Sequence, residues 1–430
     1  MALGRAVAAG LDLRAGDRVV VGRDTRRSGP MLESALAAGL AAEGLLVERL
    51  GVIPTPGVAY VSASEQVAGA MISASHNVFS DNGIKLFAPG GHKLSDAAEA
   101  RLEERLDALA LGARGGVPVG GTAMGTVVDR PAAVEDYRQH LLAAALEGRC
   151  LDGLAVVVDP GHGAASPVAG STFAAAGADV AVIHAEPDGV NINDGCGSTH
   201  PQALQRAVVD RNAGLGLALD GDADRVLAVD HRGQLVDGDQ LLALLAVDLK
   251  ERGRLRGDTV VVTVMANLGL RRGLAARGIS VVETPVGDRH VLAALEKGGW
   301  SLGGEQSGHV ILRDLATTGD GMLTGLAVAD LVHRAGTSLA ALAASAMTRL
   351  PQVLRAVAVA RRHPDIAVAV ADDLADAESE LGDAGRVVLR PSGTEPVVRV
   401  MVEAPTPDQA ERVAERLVRA VERVAVPGPG

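Results

Sequence analysis

Three aspartates alternate with small residues in the segment DGDAD at residues 220–224, directly after the apolar run Leu215–Leu219. Carboxylates this close repel one another unless a cation joins them, and hard oxygen ligands of this kind suit Mg²⁺. The calcium loop of an EF-hand is excluded, because Arg225 stands at its sixth position and His231 at its twelfth. A solvated acidic turn is the alternative. The position after a strand favours a magnesium site at Asp220, Asp222 and Asp224.

A serine stands at the end of another predicted strand, in the sequence SASHN at residues 73–77. Small neighbours leave its hydroxyl approachable, and a serine hydroxyl can accept a phosphoryl group and later return it, which divides a transfer into two steps. His76 and Lys85 are candidates to contact such a phosphate or to move protons. The alternative is a polar turn, since serine and asparagine commonly organise turns.

An anion site is predicted in the sequence RPSGTEP at residues 390–396, which lies between two predicted strands. Arg390 can offer a bidentate fork, while the hydroxyls of Ser392 and Thr394 and successive backbone amides can form a concave donor surface. A hairpin loop containing glycine is the alternative reading of the same residues.

A fourth polar loop, GGEQSGH, occupies residues 303–309. The carboxylate of Glu305, the amide of Gln306 and the hydroxyl of Ser307 could bind sugar hydroxyls or an amine, although a plain polar turn is the alternative. Downstream, TTGDG at residues 317–321 is typical of a helix N-terminus.

Three other features give weaker signals. The segment GRDTRRSG at residues 22–29 joins a strand to a helix, and its arginines are candidates to face phosphate. The strand exit DPGHG at residues 159–163 is interpreted as structural. Cys196 is interpreted as a packed thiol, because no cationic neighbour that would activate it is evident.

Composition narrows the class of protein. The net charge of −12 argues against nucleic acid or an anionic membrane as a partner. The chain has two cysteines and no C-x-x-C pair, which fits a reducing, cytoplasmic setting. Neither a signal-peptide pattern nor a long uncharged apolar run is present in the sequence.

Short β-branched runs alternate with Ala- and Leu-rich helical stretches, which predicts an α/β fold with mixed or parallel sheets. The predicted strands are 18–22, 68–72, 154–159, 215–219, 260–264, 279–283, 386–389 and 397–402. The predicted helices are 29–42, 97–110, 131–147, 201–211, 238–252, 268–277 and 407–424. With 430 residues the chain should contain several domains, and we divide it into 1–126, 127–237, 238–348 and 349–430.

The four loops, in this order, resemble the α-D-phosphohexomutase superfamily. The match runs from about Arg18 to the C-terminus and rests on SASHN with DNGIK, DGDADR, GEQSGH and RPSGTEP. The resemblance implies three related α/β domains with mixed sheets and a smaller C-terminal α+β domain around a central cleft. In this order, these domains present the catalytic serine, the metal, the sugar loop and the phosphate loop.

The resemblance also implies a role for each residue. Ser75, the second serine of SASHN, is the phosphoserine, and together with Asp220, Asp222 and Asp224 it holds one Mg²⁺ per active site. Arg225 and His76 are counted among the catalytic residues. Lys85 and His309 occupy positions where the family places a general acid or base. The residues implied to bind the sugar or its phosphate are Glu305, Ser307, Arg390, Ser392, Gly393, Thr394 and Arg399.

Within the superfamily, several segments resemble members that interconvert glucosamine 6-phosphate and glucosamine 1-phosphate on the bacterial route to UDP-N-acetylglucosamine. These segments are Gln306 with its neighbours and residues 191–200, 236–240, 286–289 and 317–321. The reaction would need a bisphosphorylated sugar as activator. The partner is then a small phosphosugar, and a homodimer is allowed by the sequence, which does not fix the oligomeric state. Mutases of neutral glucose or mannose phosphates are the alternative.

The sequence departs from the superfamily at its start. Members usually open with a strand and a GTDGIRG loop, whereas this chain begins at MALGR, in what corresponds to the following helix. We therefore expect a first domain truncated at its start, and a degraded homologue that binds phosphosugars without turnover is a further alternative. Val78, His162 and Ala223 replace the family's usual proline, asparagine and glycine.

Overall fold

A computed structural model of the chain describes residues 1–110, 121–361, 363–391 and 396–425, apart from the side chains of residues 96, 110 and 425. It contains four sheets in four successive units. None of the helices in these ranges has both the length and the apolar character needed to cross a bilayer. The predicted α/β class with mixed sheets is confirmed.

The first unit is a six-stranded mixed sheet in the order β5-β4-β3-β1-β2-β6. Its parallel centre lets β1 and β3 end at the same edge, where β3 delivers the serine loop. The strands are β1 (Arg18–Arg23), β2 (Leu46–Val52), β3 (Ala68–Ile72), β4 (Ile84–Ala88), β5 (His92–Lys93) and β6 (Val127–Asp129). The helices are α1 (Ala2–Gly10), α2 (Gly29–Ala42), α3 (Thr55–Glu65) and α4 (Asp96–Ala110).

The second unit has a five-stranded sheet in the order β11-β10-β9-β7-β8. β9 is buried at every position and leads straight into the aspartate loop. The strands are β7 (Ala155–Asp159), β8 (Asp179–Val182), β9 (Leu215–Leu219), β10 (Val226–Asp230) and β11 (Leu235–Val236). The helices are α5 (Ala132–Leu146), α6 (Ala169–Ala175) and α7 (Gln202–Asp210).

The third unit has a four-stranded sheet in the order β13-β12-β14-β15 and shares a hydrophobic core with the second. Because both units contribute to this core, their loops are held in a fixed relation. The strands are β12 (Thr259–Thr263), β13 (Ser280–Thr284), β14 (Leu302–Gly304) and β15 (Val310–Leu312). The helices are α8 (Gly238–Glu251), α9 (Leu268–Ala275), α10 (Asp288–Gly298), α11 (Gly321–Ala335) and α12 (Leu339–Ala346).

The fourth unit is an antiparallel sheet in the order β16-β18-β17 with its own core. The predicted amphipathic final helix is confirmed, since Val413, Leu417 and Val421 are fully buried. The strands are β16 (Gln352–Ala358), β17 (Arg386–Pro391) and β18 (Val397–Glu403). The helices are α13 (Ile366–Ala369), α14 (Ala371–Leu381) and α15 (Pro407–Ala425). Short 3₁₀ turns lie at Gly121–Ala123, Gly197–Thr199, Arg256–Asp258 and Gly382–Ala384.

Candidate active site

The serine loop after β3 and the aspartate loop after β9 meet directly. The hydroxyl of Ser75 donates a hydrogen bond of 2.6 Å to Oδ2 of Asp220. Each loop leaves the end of a buried strand, so both side chains are presented from rigid supports. Two polar segments that are far apart in sequence therefore form one group.

The backbone of Ser75 adopts a left-handed conformation, with φ of 51°. A residue with a Cβ in this region costs of order 1–3 kcal/mol and persists only where its surroundings fix it. Two side chains hold its carbonyl. Nη2 of Arg26 and Nδ2 of Asn193 each donate to the carbonyl oxygen of Ser75 at 2.9 Å. The same two groups donate to the carbonyl of Asn77, at 2.9 and 3.0 Å.

Arg26 is fully buried beneath the serine loop. Its Nη1 donates to the carbonyls of Val78 and, at 3.0 Å, Asp81. Its Nε donates to Oδ2 of Asp24 at 2.8 Å, which neutralises the charge. We expected the arginines of residues 22–29 to face phosphate. For Arg26 the structure shows a different role, since its guanidinium is occupied by the loop carbonyls.

The aspartate triad is buried and belongs to a charged network. Oδ2 of Asp222 accepts from the Thr55 hydroxyl and, at 2.6 Å, from Nζ of Lys85. Lys85 also donates to Asp224 at 3.0 Å. Between these aspartates, Ala223 has a φ of 57°, which is why this position usually suits glycine. Its departure from the family pattern thus leaves the turn in place at the cost of some backbone strain.

The triad has the features of a cation site. One carboxylate oxygen from each residue lies within 4.8 Å of the others. Oδ1 of Asp222 and Oδ1 of Asp224 are buried without a hydrogen-bond partner. Burial, followed by the charges of Asp224 and Asp222, raises the pKa of Asp220 well above its ordinary value. Hard oxygen donors that are buried and short of partners fit Mg²⁺.

The cationic groups around the triad have opposite tendencies. Burial acts to lower the pKa of Lys85, but the charges of Asp222 and Asp224 hold it above its ordinary value, so the amine stays protonated. Burial, and then the charge of Arg225, lowers the pKa of His76. Nδ1 of His76 lies 3.4 Å from the hydroxyl oxygen of Ser75 and 3.3 Å from Nη1 of Arg225. Lys85 is thus a charged hydrogen-bond donor to the triad, while His76 lies beside the serine with a lowered pKa.

His309 brings the third unit into the same group. It is 2% exposed, and its Nδ1 lies 3.7 Å from Oδ1 of Asp224. Its Nε2 accepts a hydrogen bond of 3.2 Å from the amide of Gly319. In the neutral ring the proton is therefore assigned to Nδ1, on the side that faces the triad.

The loop at residues 303–309, which is predicted to bind the sugar, already makes several contacts of its own. Oε1 of Glu305 accepts from the amide of Gly287 at 3.1 Å, and the Ser307 hydroxyl donates to Oε2 at 3.3 Å. Nε2 of Gln306 donates to Asp239 at 3.2 Å, so this amide nitrogen is committed to the protein. Glu305 and Ser307 are left as the pair with free acceptor capacity.

Arg390 and Arg399 form a separate basic pair on the fourth unit. They are direct cross-strand neighbours and line a cavity of about 110 Å³ together with Met265 and Val286. Burial, and then the charge of Arg399, lowers the pKa of Arg390. Neither arginine makes a hydrogen bond or ion pair to the Ser75 group within the described ranges. The predicted phosphate-loop residues Ser392, Gly393 and Thr394 lie outside those ranges.

Three contributors to this site were not identified from the sequence as partners of the chemistry. Thr55, Asn193 and Arg26 contact residues 167, 118 and 49 positions away, respectively. Only Asn193 had a signal, because it lies in a segment that carries the family resemblance. Arg26 was singled out only as a candidate to face phosphate, and nothing local marks Thr55.

Asp320, next to Gly319, provides a test of the electrostatics. It caps α11 by accepting from the amide of Leu323 at 2.9 Å, and the Tyr137 hydroxyl also donates to it at 2.9 Å. The predicted helix N-terminus at residues 317–321 is thereby confirmed. Complete burial raises the pKa of Asp320 from 3.8 to about 7.

A raised carboxyl pKa stabilises the fold fully below its ordinary value, and this contribution is lost as pH rises through about 7. We expect the free energy of unfolding to fall from about pH 4 to pH 7, by at most ~1.4 kcal/mol per unit for this group, and the contribution of Asp320 to level off above pH 7. Denaturant titrations at several pH values measure this. Asp320→Asn should flatten the slope, whereas the exposed Asp372→Asn should not. An unchanged slope in Asp320→Asn would contradict the assignment.

The Ser75 hydroxyl is hydrogen-bonded to a buried aspartate triad that can hold a cation, and the two loops belong to consecutive α/β units. This is the arrangement of a phosphoryl-transfer enzyme. Profiles of the phosphoglucomutase/phosphomannomutase family match four parts of the chain. Its alpha/beta/alpha domains I, II and III match residues 1–112, 135–233 and 237–350, and its C-terminal domain matches residues 343–420. The chain belongs to this family, which is magnesium-dependent and uses a phosphoserine.

Individual relatives narrow the comparison. Phosphoglucosamine mutase from Saccharopolyspora erythraea is 55% identical over 411 residues, covering 94% of this chain and 90% of the relative. The enzyme of that name from Frankia alni is also 55% identical, covering 96% and 89%. Among solved structures, a phosphoglucomutase/phosphomannomutase family protein from Burkholderia thailandensis has a TM-score of 0.81 at 26% identity, covering 98% and 93%.

Proposed function

We propose that the chain interconverts glucosamine 6-phosphate and glucosamine 1-phosphate, with Ser75 as the phosphoryl carrier. The observation that carries this proposal is the 2.6 Å contact between the Ser75 hydroxyl and Asp220 of the buried triad. The choice of an amino sugar is supported by relatives more than 50% identical that are named phosphoglucosamine mutase. The reaction would supply a precursor of UDP-N-acetylglucosamine in the cytoplasm.

The chemistry proceeds in two matched transfers. The bond between phosphorus and the Ser75 oxygen breaks as a bond to a sugar hydroxyl oxygen forms, which gives a sugar bisphosphate. The hydroxyl proton passes to a nearby base, and the Ser75 oxygen regains a proton. After the bisphosphate reverses its orientation in the site, its other phosphoryl group is transferred to Ser75. A bisphosphorylated sugar is then the natural activator, because it can load an unphosphorylated Ser75.

Asp220, Asp222 and Asp224, together with an oxygen on Ser75, would hold one Mg²⁺. The ion would neutralise charge on the transferring phosphoryl group. Arg225 stands beside the triad, with its backbone amide donating to Asp220 at 3.2 Å, and its guanidinium would steady the phosphate. Positioning and electrostatics then supply most of the catalysis.

Proton transfer is assigned to two residues with opposite properties. Lys85 is held protonated by Asp222 and Asp224 and acts as the acid that serves the serine oxygen. His309 would take the proton of the sugar hydroxyl at Nδ1, which faces the triad, after a change to the tautomer in which the ring proton sits on Nε2, beside Asp288. His76 lies against Ser75 and orients its hydroxyl.

Substrate binding is assigned to the third and fourth units. Glu305 and Ser307 would bind the sugar hydroxyls. Arg390 and Arg399, with Ser392, Gly393 and Thr394, would hold the phosphate that does not react. One such anion site must accept both orientations of the bisphosphate, which explains why it lies on a separate unit with its own core.

A coupled assay with three sugars tests the function. We expect kcat/KM for glucosamine 1-phosphate to exceed that for glucose 1-phosphate and mannose 1-phosphate by at least about tenfold. The assay is run with and without the matching sugar bisphosphate, to separate slow loading of Ser75 from slow turnover. A preference for a neutral sugar would reassign the substrate, and no turnover with any of the three would favour a binding homologue.

A further inference from the structure

A second cluster of potential ligands lies at the carboxyl end of β7, outside the phosphoryl-transfer site. We call Asp159, His184 and Cys196 the thiol cluster. One ligand atom from each lies within 4.8 Å of the others. Asp159 and Cys196 are fully buried, and the His184 side chain is 29% exposed. Nδ1 of His184 lies 2.8 Å from Oδ2 of Asp159.

A second histidine lies near the cluster, outside the set of residues whose ligand atoms lie within 4.8 Å of one another. The ring of His162 lies 5.5 Å from that of His184, measured between centroids. Its Nδ1 is buried and has no hydrogen-bond partner.

The carboxylate of Asp159 is already oriented by the backbone. Oδ1 accepts from the amide of Gly161 at 2.9 Å, and Oδ2 accepts from the amide of Gly197 at 3.1 Å. Such outer contacts fix a ligating carboxylate without occupying all of its lone pairs. Asp159 therefore presents a preoriented oxygen toward His184 and Cys196.

We propose that the thiol cluster binds a divalent transition metal of the zinc class through Asp159, His184 and Cys196. Sulfur, imidazole and carboxylate together suit Zn²⁺, whereas Mg²⁺ prefers an all-oxygen set such as the Asp220 triad. When the metal–sulfur bond forms, the Cys196 thiol releases its proton to solvent. The two sites are thus separated by ligand chemistry as well as by position.

The cation would have a structural role. Asn193 lies between His184 and Cys196 in the chain, and its backbone amide donates to the carbonyl of Gly161 at 3.0 Å. The side chain of Asn193 in turn holds the carbonyls of Ser75 and Asn77. A metal bound by Cys196 and Asp159 would link the loop that contains Asn193 to the end of β7. It would thereby stabilise the position of Asn193, which holds the serine loop.

Cobalt titration of the chelator-treated, full-length protein tests the site, with excess Mg²⁺ present to occupy the aspartate triad. We expect Co²⁺ to produce a thiolate-to-cobalt charge-transfer band, which oxygen ligands alone do not give. Cys196→Ser should abolish the band. Cys150→Ser, which removes the exposed cysteine, should leave it intact. A missing band in the parent protein, or one that survives Cys196→Ser, overturns the proposal.

A second variant covers the case in which Cys196→Ser does not fold. His184→Asn keeps a donor toward Asp159 but removes the imidazole ligand. We expect it to weaken Zn²⁺ binding, measured by competition with a chromophoric chelator, by at least about tenfold. Unchanged affinity in folded His184→Asn would exclude this cluster as the zinc site. The readout is metal binding, so it does not depend on the mutase assignment.

Discussion

Ser75→Ala is expected to lower turnover by roughly 10⁴-fold or more, because removal of a covalent nucleophile eliminates the pathway it serves. The variant should also take up no phosphate from a sugar bisphosphate. Its fold should survive, since the hydroxyl makes one strong contact, to Asp220, and its loss costs about 1 kcal/mol. The coupled assay measures turnover, and intact-protein mass spectrometry measures phosphate uptake.

Ser73→Ala is the matched control within the same loop. The Ser73 hydroxyl donates to Asp24 at 2.7 Å and accepts from the amide of Ser75 at 3.0 Å, so it supports the loop from inside. We expect this variant to lose some stability and still carry phosphate at residue 75. Phosphate on Ser73, or full turnover by Ser75→Ala, would contradict the assignment.

Some of the elements that carry the site were predictable from their pattern, whereas Ile84–Ala88, the strand that holds Lys85, was not predicted. The strands that precede the serine and aspartate loops, 68–72 and 215–219, were predicted with the bounds that the structure shows. Several strands were missed, among them the seven-residue strands Leu46–Val52 and Gln352–Ala358. The two-residue strands His92–Lys93 and Leu235–Val236 were also missed, because an alternation with period two needs more residues to be recognised. Their positions are set by pairing with a neighbouring strand rather than by local pattern.

The candidate site also contains some features that the local sequence predicts and others that it does not. Asp220, Asp222 and Asp224 occupy alternate positions within five residues, so the repulsion between their carboxylates can be inferred from spacing alone. The meeting of Ser75 with Asp220 joins residues 145 positions apart, so only the family resemblance could anticipate it. Arg26 shows the limit of local inference. Its charge indicated phosphate, but burial beside Asp24 directs it to the backbone.

Arg26→Met should destabilise the fold by about 3–5 kcal/mol, because it leaves the buried Asp24 carboxylate without its cation. The serine loop also loses the donors that hold the carbonyls of Ser75, Asn77 and Asp81. We therefore expect kcat to fall even in the folded fraction, since the left-handed backbone at Ser75 loses a constraint. Denaturant unfolding and steady-state kinetics measure the two effects separately.

The partner charge makes this prediction specific. Arg26→Met/Asp24→Asn removes both ions, so it should unfold at a higher denaturant concentration than Arg26→Met alone. Activity should stay low in the double variant, because neither substitution restores a donor to the Ser75 carbonyl. The exposed neighbour provides the charge control, and Arg27→Ala should change the free energy of unfolding by no more than about 0.5 kcal/mol. If Arg26→Met were as stable as the parent, Arg26 would not be the support of the serine loop.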